Sequence, residues 1–367
     1  MSHVTNEGPP PLRTVATTTY FPALKGKLGE MQALKNLTPV QRAATIPILD
    51  LPIDDSADSS EIAVAIDKFG SKLGQYYDAT NYVIVDATMT DRSGTDGTER
   101  VSQLHRCLAD DLAAVPVVTL SSSPDFVAAV AAIAVGDGNG VCIRLSREDY
   151  ANIAQLPTEL AGVLNALKLP ASAVDLVIDV GYLDANSIAT NSALIPLIIP
   201  TLPHLSQWRN LVLLSGAFPV GLSNLIAYVP QRFLRYDAEL WNRVAATART
   251  SRVPRFGDYA TSHPLPGAPV ARRSAPNLRY TTGNEWYCLR SDLDKVLANQ
   301  TYYEICKQLR DETSRILLPE SFSWGDSQIR RCASSTGGPG GAMNWKAWAT
   351  SHHLTAVIEN LASTGAP

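Results

Sequence analysis

Eight short apolar runs recur along this chain of 367 residues, and each ends in a polar or charged residue. They are TTTYFPALKGK, ATIPILD, YVIVDAT, VPVVTLS, GVCIRLS, VDLVIDVG, NLVLLSG and RFGDYAT. The runs begin near residues 18, 45, 82, 115, 140, 174, 210 and 255, so adjacent starts leave room for a strand and a returning helix. They are dense in Val, Ile and Leu without strict alternation, as strands covered on both faces are. Helical segments fill the gaps: LGEMQALKNL, SSEIAVAIDKFGSKLGQYY, GTERVSQLHRCLADDLAA, SPDFVAAVAAIA, SREDYANIAQLPTELAGVLNAL, ANSIATNSALIPLII and VGLSNLIAYVP…AELWNRVAATART. Strand–helix alternation repeated eight times predicts an α/β fold, a (β/α)8 TIM-like barrel over residues 18–262, rather than an open doubly wound sheet. No GxGxxG follows the first strand, and GDGNG precedes a strand and reads as a turn.

Residues 1–17 read as a flexible leader, and the texture changes after residue 262. SHPLPGAPVARRSAPN is expected to be a long loop or lid across the barrel mouth. LRYTTGNEWYCLRS reads as a β-hairpin turning at TTGNE. SDLDKVLANQTYYEICKQLRDETSR is expected to be one amphipathic helix capped by Ser291 or Asp292. A helical patch in PESFSWGDSQIRRC, a glycine-rich loop and a closing helix, NWKAWATSHHLTAVIENLA, complete an extension over 263–367 that packs on the barrel.

Apolar residues make up 45% of the chain and charged residues 18%, enough to build a full core. A net charge of −4 gives no support for broad nucleic-acid binding. IATNSALIPLIIPTLPHL is the longest apolar candidate for a membrane span, and its polar residues and prolines argue against that role. The N-terminus lacks a basic start followed by a greasy stretch. The five cysteines are scattered without a CxxC pair, which fits reduced thiols. Together these features predict a cytoplasmic protein.

Parallel barrel strands deliver their last residues to one mouth, where such barrels keep their sites. The candidate ligand-binding residues are therefore Lys25, Lys27, Asp50, Asp86, Arg144, Asp179 and Asp258, with Thr119 or Ser121 and Ser215 in support. Lys25 and Lys27 suit a phosphate or carboxylate, or an ion pair with Glu30. The four aspartates suit a hard cation such as Mg²⁺, a division of acid and base roles, or loop caps. An inward Arg144 is costly unless paired, so it is expected to meet Asp86, Asp179 or an anionic ligand. His352 and His353 diverge by about 100° on a helix, which disfavours a shared zinc ion and predicts packing on Trp348 or capping of the barrel. Trp286, Trp324, Trp345 and Trp348 are expected to seal the extension, with stacking on a base or sugar as the alternative. No P-loop, HExxH, GxSxG or kinase motif occurs.

YFPALKGKLGEMQALKNL near the start, followed in order by FGDYATSHP, FSWGDSQI and the closing Trp345-x-x-Trp348-x-x-Ser351-His352-His353-Leu354 pattern, resembles the "beta protein" family of prophages and bacterial genomes. The resemblance implies a setting in phage–host conflict, including a toxic partner from a neighbouring gene, and supplies no reaction and no catalytic residues. The expected function is a component of a phage-defence or phage-exclusion module whose barrel mouth binds a small anionic or nucleotide-like ligand. A phosphoester hydrolase using the rim carboxylates, with Mg²⁺ as cofactor, and a non-catalytic scaffold for a protein partner are the alternatives.

Overall fold

The computed structural model describes residues 15–367 apart from 55, 78–80, 93–95, 110, 248–251, 266–273 and 314. Eight parallel strands close into a barrel: β1 (Phe21–Leu24), β2 (Ile48–Asp50), β3 (Val83–Asp86), β4 (Ala114–Val118), β5 (Val141–Leu145), β6 (Val174–Tyr182), β7 (Asn210–Gly216) and β9 (Arg255–Asp258). Helices return the chain between strands, which is the (β/α)8 architecture the alternation predicts.

Side-chain parity decides what the barrel encloses. Ala23, Ile48 and Ile84 are neighbours across β1, β2 and β3, and they share the interior cluster with Phe21, Val117, Cys142, Val177, Val212, Leu214 and Tyr259. Residues one step along each strand face outward, where Leu24, Leu49, Val83, Val85 and Phe256 meet the surrounding helices. The N-terminal end of the barrel is plugged by a polar cluster. Arg209 grips Asp175 through Nε and Nη2 at 2.9 and 2.7 Å, and Asn210 Nδ2 donates to the same carboxylate at 2.7 Å and to the Tyr82 hydroxyl at 2.8 Å. The Asp175 side chain is fully buried and the Arg209 side chain nearly so, as suits a stabilising floor.

The second sheet is antiparallel, in the order β10 (Asn277–Thr282), β11 (Glu285–Arg290) and β8 (Gln231–Leu234). β10 and β11 form the expected hairpin with Gly283 at φ +44° in its turn. β8 lies between two segments expected to be helical, of which 220–230 is not helix and the second forms Tyr236–Thr247. Pro219 and Pro230 break the helical pattern, and β11 offers β8 a ladder instead. A second correction concerns the helix expected from Ser291 or Asp292, which begins only at Thr301 and ends at Arg310. Asp294 Oδ1 accepts the backbone amides of Val296 and Leu297, a local turn that competes with helix, while the Ser291 hydroxyl bonds Thr301.

Helices Thr301–Arg310, Trp324–Ala333 and Ala342–Thr364 pack with this sheet around Tyr280, Tyr287, Tyr302, Trp345 and Trp348. Tyr302 stacks on Trp345 with centroids 5.2 Å apart. The closing helix also sends Leu354, Val357, Ile358 and Leu361 into the barrel's outer core, so one helix belongs to both layers. Trp286, Trp345 and Trp348 are buried in the extension and its seam, in line with the sealing role. Most of the expected leader (residues 1–14) and of the basic segment (266–273) lies outside the described residues. Among the described residues no helix is long and apolar enough to cross a membrane, and the five cysteines are free.

Candidate functional site at the barrel mouth

Inward parity carried to the C-terminal ends of the strands brings Lys25, Asp50, Asp86, Arg144 and Asp179 together, with Tyr259 just past β9. Arg144 is the hub. Its Nη1 donates to Asp50 Oδ1 at 3.0 Å and to Asp86 Oδ2 at 2.7 Å. Nε and Nη2 both donate to Asp179 Oδ2, at 3.0 and 2.8 Å, and Nη2 also donates to the Tyr259 hydroxyl at 2.8 Å. These contacts use all five guanidinium N–H groups. The Tyr259 hydroxyl in turn donates a short hydrogen bond to Asp179 Oδ2.

The outer carboxylate oxygens are also occupied. Lys25 Nζ donates to Asp50 Oδ2 at 2.9 Å, to the carbonyl of Pro264, and lies 5.1 Å from the Tyr259 ring centroid. Asp86 Oδ1 accepts from the amide and hydroxyl of Thr88 at 3.0 and 2.6 Å, and Asp179 Oδ1 accepts from the Gly181 amide at 2.9 Å. The cluster is nevertheless open to solvent: side-chain exposure is 13% for Arg144 and Asp179, 10% for Asp86 and 26% for Asp50.

Local backbone features hold these groups in place. Gly26 sits at φ +62°, and a Cβ there would stand 2.5 Å from the Asp50 carbonyl, so glycine lets the chain fold tightly back and bring Lys25 over Asp50. Just beyond Asp179, β6 shifts register before Tyr182, and Gly181 at φ +72° turns its amide onto Asp179 Oδ1.

The electrostatics follow from this packing. Burial pushes the Asp50 carboxyl up, but Arg144 and Lys25 outweigh it and hold the group below the usual carboxylate range. Burial raises the Tyr259 phenol well above its ordinary value, and the carboxylates of Asp179 and Asp50 reinforce this against Arg144. The phenol therefore stays protonated as a donor. Three carboxylates face two cations, and Arg144 occupies the point on which they converge. A Mg²⁺ at that point would have to displace the guanidinium, and among the described residues no cluster of three or more His, Cys, Asp or Glu is arranged to hold a metal ion.

The other candidates stand elsewhere. Lys27 is exposed at the N-cap of helix Leu28–Lys35 and makes no ion pair among the described residues. Thr119 lies at the mouth but shares its hydroxyl with Ser121 and Ser122 at 3.1 and 3.2 Å. Ser215 has outward parity and is buried.

Asp258 also points outward, into the seam between barrel and extension. It accepts from the Tyr20 hydroxyl, from the Ala260 amide at 2.8 Å, from Arg235 Nη2 at 3.1 Å, and pairs with His353 Nε2 at 2.9 Å. Burial raises its carboxyl, but His353, Arg235 and Tyr20 bring it down to about 2. Arg235 also bridges to Asp237 at 2.9 Å, whose carboxyl burial pushes up to about 6. The imidazole Nδ1 of His353 meets Thr281 at 2.8 Å, while His352 meets Asp326 at 2.8 Å and the Thr281 carbonyl at 2.8 Å. The two histidines do diverge, and both knit the closing helix to its neighbours rather than face the mouth.

Sequence reading missed Tyr259, which the i, i+2 series Arg255, Gly257, Tyr259 would have placed inward in preference to Asp258. It also passed over Lys346 and Arg279, which reach the mouth from the extension: Lys346 Nζ bonds Thr261 Oγ1 at 3.0 Å and the Ser262 hydroxyl, and Arg279 Nη1 donates to the Thr261 carbonyl at 2.8 Å. Residue spacing gives no signal for these two, because tertiary packing alone brings them there.

Comparison with curated proteins returns no match. The family model described as Beta protein matches residues 20–359, a span that takes in the whole barrel, the mouth and nearly all of the extension. The chain belongs to the Beta protein family.

Proposed function

We propose that the barrel mouth is a binding site for a small anionic or nucleotide-like ligand, and that the protein serves in a phage-defence or phage-exclusion module. The observation that carries the ligand reading is the Arg144 hub. Three carboxylates, a tyrosine and a lysine from five separate parts of the chain are fixed around one guanidinium, yet they remain partly open to solvent. A network built only for stability would be expected deeper, as at the opposite end of the barrel, where the Asp175 side chain is fully buried. Carboxylates held in advance at a barrel mouth offer hydrogen-bond acceptors without reorganisation on binding. The defence role is supported by family membership together with the prophage setting that the resemblance implies.

The test is a phage challenge with Asp179→Ala and Lys25→Ala chains, each first shown to be folded, alongside mass spectrometry of small molecules released from protein purified from its native host. Loss of exclusion in both variants, with a retained anionic compound, is the expected outcome. Full exclusion by both variants would sink the proposal.

A further inference from the structure

On the β1 and β9 flank of the mouth, three cations gather around a single carboxylate, Glu30. Lys346, from the closing helix, has its amine on the hydroxyls of Thr261 and Ser262 and lies 3.8 Å from Glu30. Arg279, from β10, donates to the Thr261 carbonyl at 2.8 Å and to the Asn277 side-chain oxygen at 3.3 Å, and sits 5.0 Å from the Phe218 ring centroid. None of the Arg279 partners is anionic. Lys27 stands exposed on the turn after β1, close enough for its charge to act on Lys346. Among the described residues, Glu30 is the one carboxylate within ion-pair distance of any of these three cations. The charge of Lys25, next along the rim, is already matched by Asp50.

The closing helix is pressed into this position by design of the backbone. A Cβ on Gly29 would lie 2.8 Å from the Met343 carbonyl and 3.6 Å from the Lys346 Cβ, so only glycine allows the helix to bring Lys346 against the start of helix Leu28–Lys35. Burial lowers the Lys346 amine to about 7, with Arg279, Lys27 and Lys25 adding to the effect and Glu30 opposing it. Three cations against one carboxylate leave an excess of positive charge that favours an incoming anion. Arg144 cannot fill this role without giving up carboxylates, since each of its donors is engaged.

We propose that Lys346, Arg279 and Lys27 form an anion subsite that receives a phosphoryl group of the mouth ligand. This rests on reading the mouth as a ligand site and assigns the phosphoryl group to the extension side rather than to Arg144. The ligand would then span from this subsite to the carboxylates of Asp50, Asp86 and Asp179, which suit its hydrogen-bond donors.

Calorimetric titration of the full chain with inorganic phosphate at pH 7, and with inorganic sulfate across pH 6 to 9, tests the assignment. Sulfate keeps its charge over that range, so any pH dependence belongs to the protein. Lys346→Met and Lys27→Gln are each expected to weaken phosphate binding by about tenfold, the loss of one charge-assisted contact. Sulfate affinity is expected to fall as pH rises through 7 in the unaltered chain and to stay flat in Lys346→Met. Lys27 is exposed, so its variant reports on binding even if Lys346→Met folds poorly. Absence of phosphate binding, or binding unchanged in both variants and lost in Arg144→Gln, overturns the subsite. Either result would do so even where Asp179→Ala abolishes phage exclusion, which separates this failure from failure of the mouth reading itself.

Discussion

Arg144 and Asp179 meet through a single oxygen: Nε and Nη2 of the guanidinium both donate to Oδ2 of the carboxylate, at 3.0 and 2.8 Å. The remaining nitrogen, Nη1, spans Asp50 and Asp86. A planar fork with donors on three sides can serve three carboxylates at once, which a lysine ammonium on a flexible stem cannot.

Removing that fork leaves three carboxylates facing one another with only Lys25 nearby. Arg144→Gln is expected to lower stability by about 3–5 kcal/mol, the range for breaking a buried charge cluster from one side. Arg144→Lys should recover less than half of the loss. Urea denaturation of the three chains measures both, and a loss under about 1 kcal/mol in Arg144→Gln would contradict the hub role.

Tyr259→Phe deletes one hydroxyl that accepts from Arg144 and donates to Asp179 while leaving the ring beneath Lys25. The expected loss is about 1–3 kcal/mol, as for unpairing buried polar groups. The same denaturation curve reads it, and an unchanged midpoint would show that the hydroxyl is dispensable.

Asp258 gives the fold an acid dependence. Its folded value of about 2 lies below the ordinary 3.8, so its contribution is complete above about pH 4 and is lost as pH falls from about 4 to about 2. A shift of this size corresponds to roughly 2–3 kcal/mol. Stability measured across pH 2 to 5 should therefore rise more steeply in the unaltered chain than in Asp258→Asn. Parallel curves would rule out the seam carboxylate as the source.

Two glycines should respond in opposite directions to alanine. A Cβ on Gly325 would lie 2.1 Å from the Trp348 carbonyl oxygen, so Gly325→Ala must push apart helices Trp324–Ala333 and Ala342–Thr364, at a cost of about 1–3 kcal/mol or more. Gly136, in helix Pro124–Asp137, has nothing within 4 Å of its Cβ direction, and alanine there should stabilise by up to about 1 kcal/mol. Thermal melts of the two variants supply the comparison, and shifts of the same sign would refute it.

The barrel was legible in the sequence because buried parallel strands are apolar runs of a distinctive kind, and their spacing leaves room for one helix each. The rim was legible as a set of polar strand ends, and five of the seven residues so identified do stand at the mouth with inward or rim positions in one network or beside it: Lys25, Asp50, Asp86, Arg144 and Asp179. Asp258 was misplaced because strand ends alternate, and a shift of one residue moves a side chain from the lumen to the outer wall. Tyr259 is the inward neighbour. β8 escaped notice because its ladder partner, β11, lies some fifty residues onward, and a four-residue strand carries little pattern of its own. The late start of helix Thr301–Arg310 turns on Asp294, whose side chain satisfies backbone amides that a helix would otherwise use.

The origin of β8 has an evolutionary consequence. The chain leaves the barrel after its seventh strand, contributes one strand to the distal sheet, and only then returns to lay down β9 and close the ring. The extension is thus not a module appended after a finished barrel, and no cut at a single point in the chain releases one half intact. Recombination that exchanged residues 263–367 would strip β8 of its ladder partner β11 and His353 from Asp258 in the same stroke. Barrel and extension are therefore interleaved along the chain, and neither is continuous in sequence.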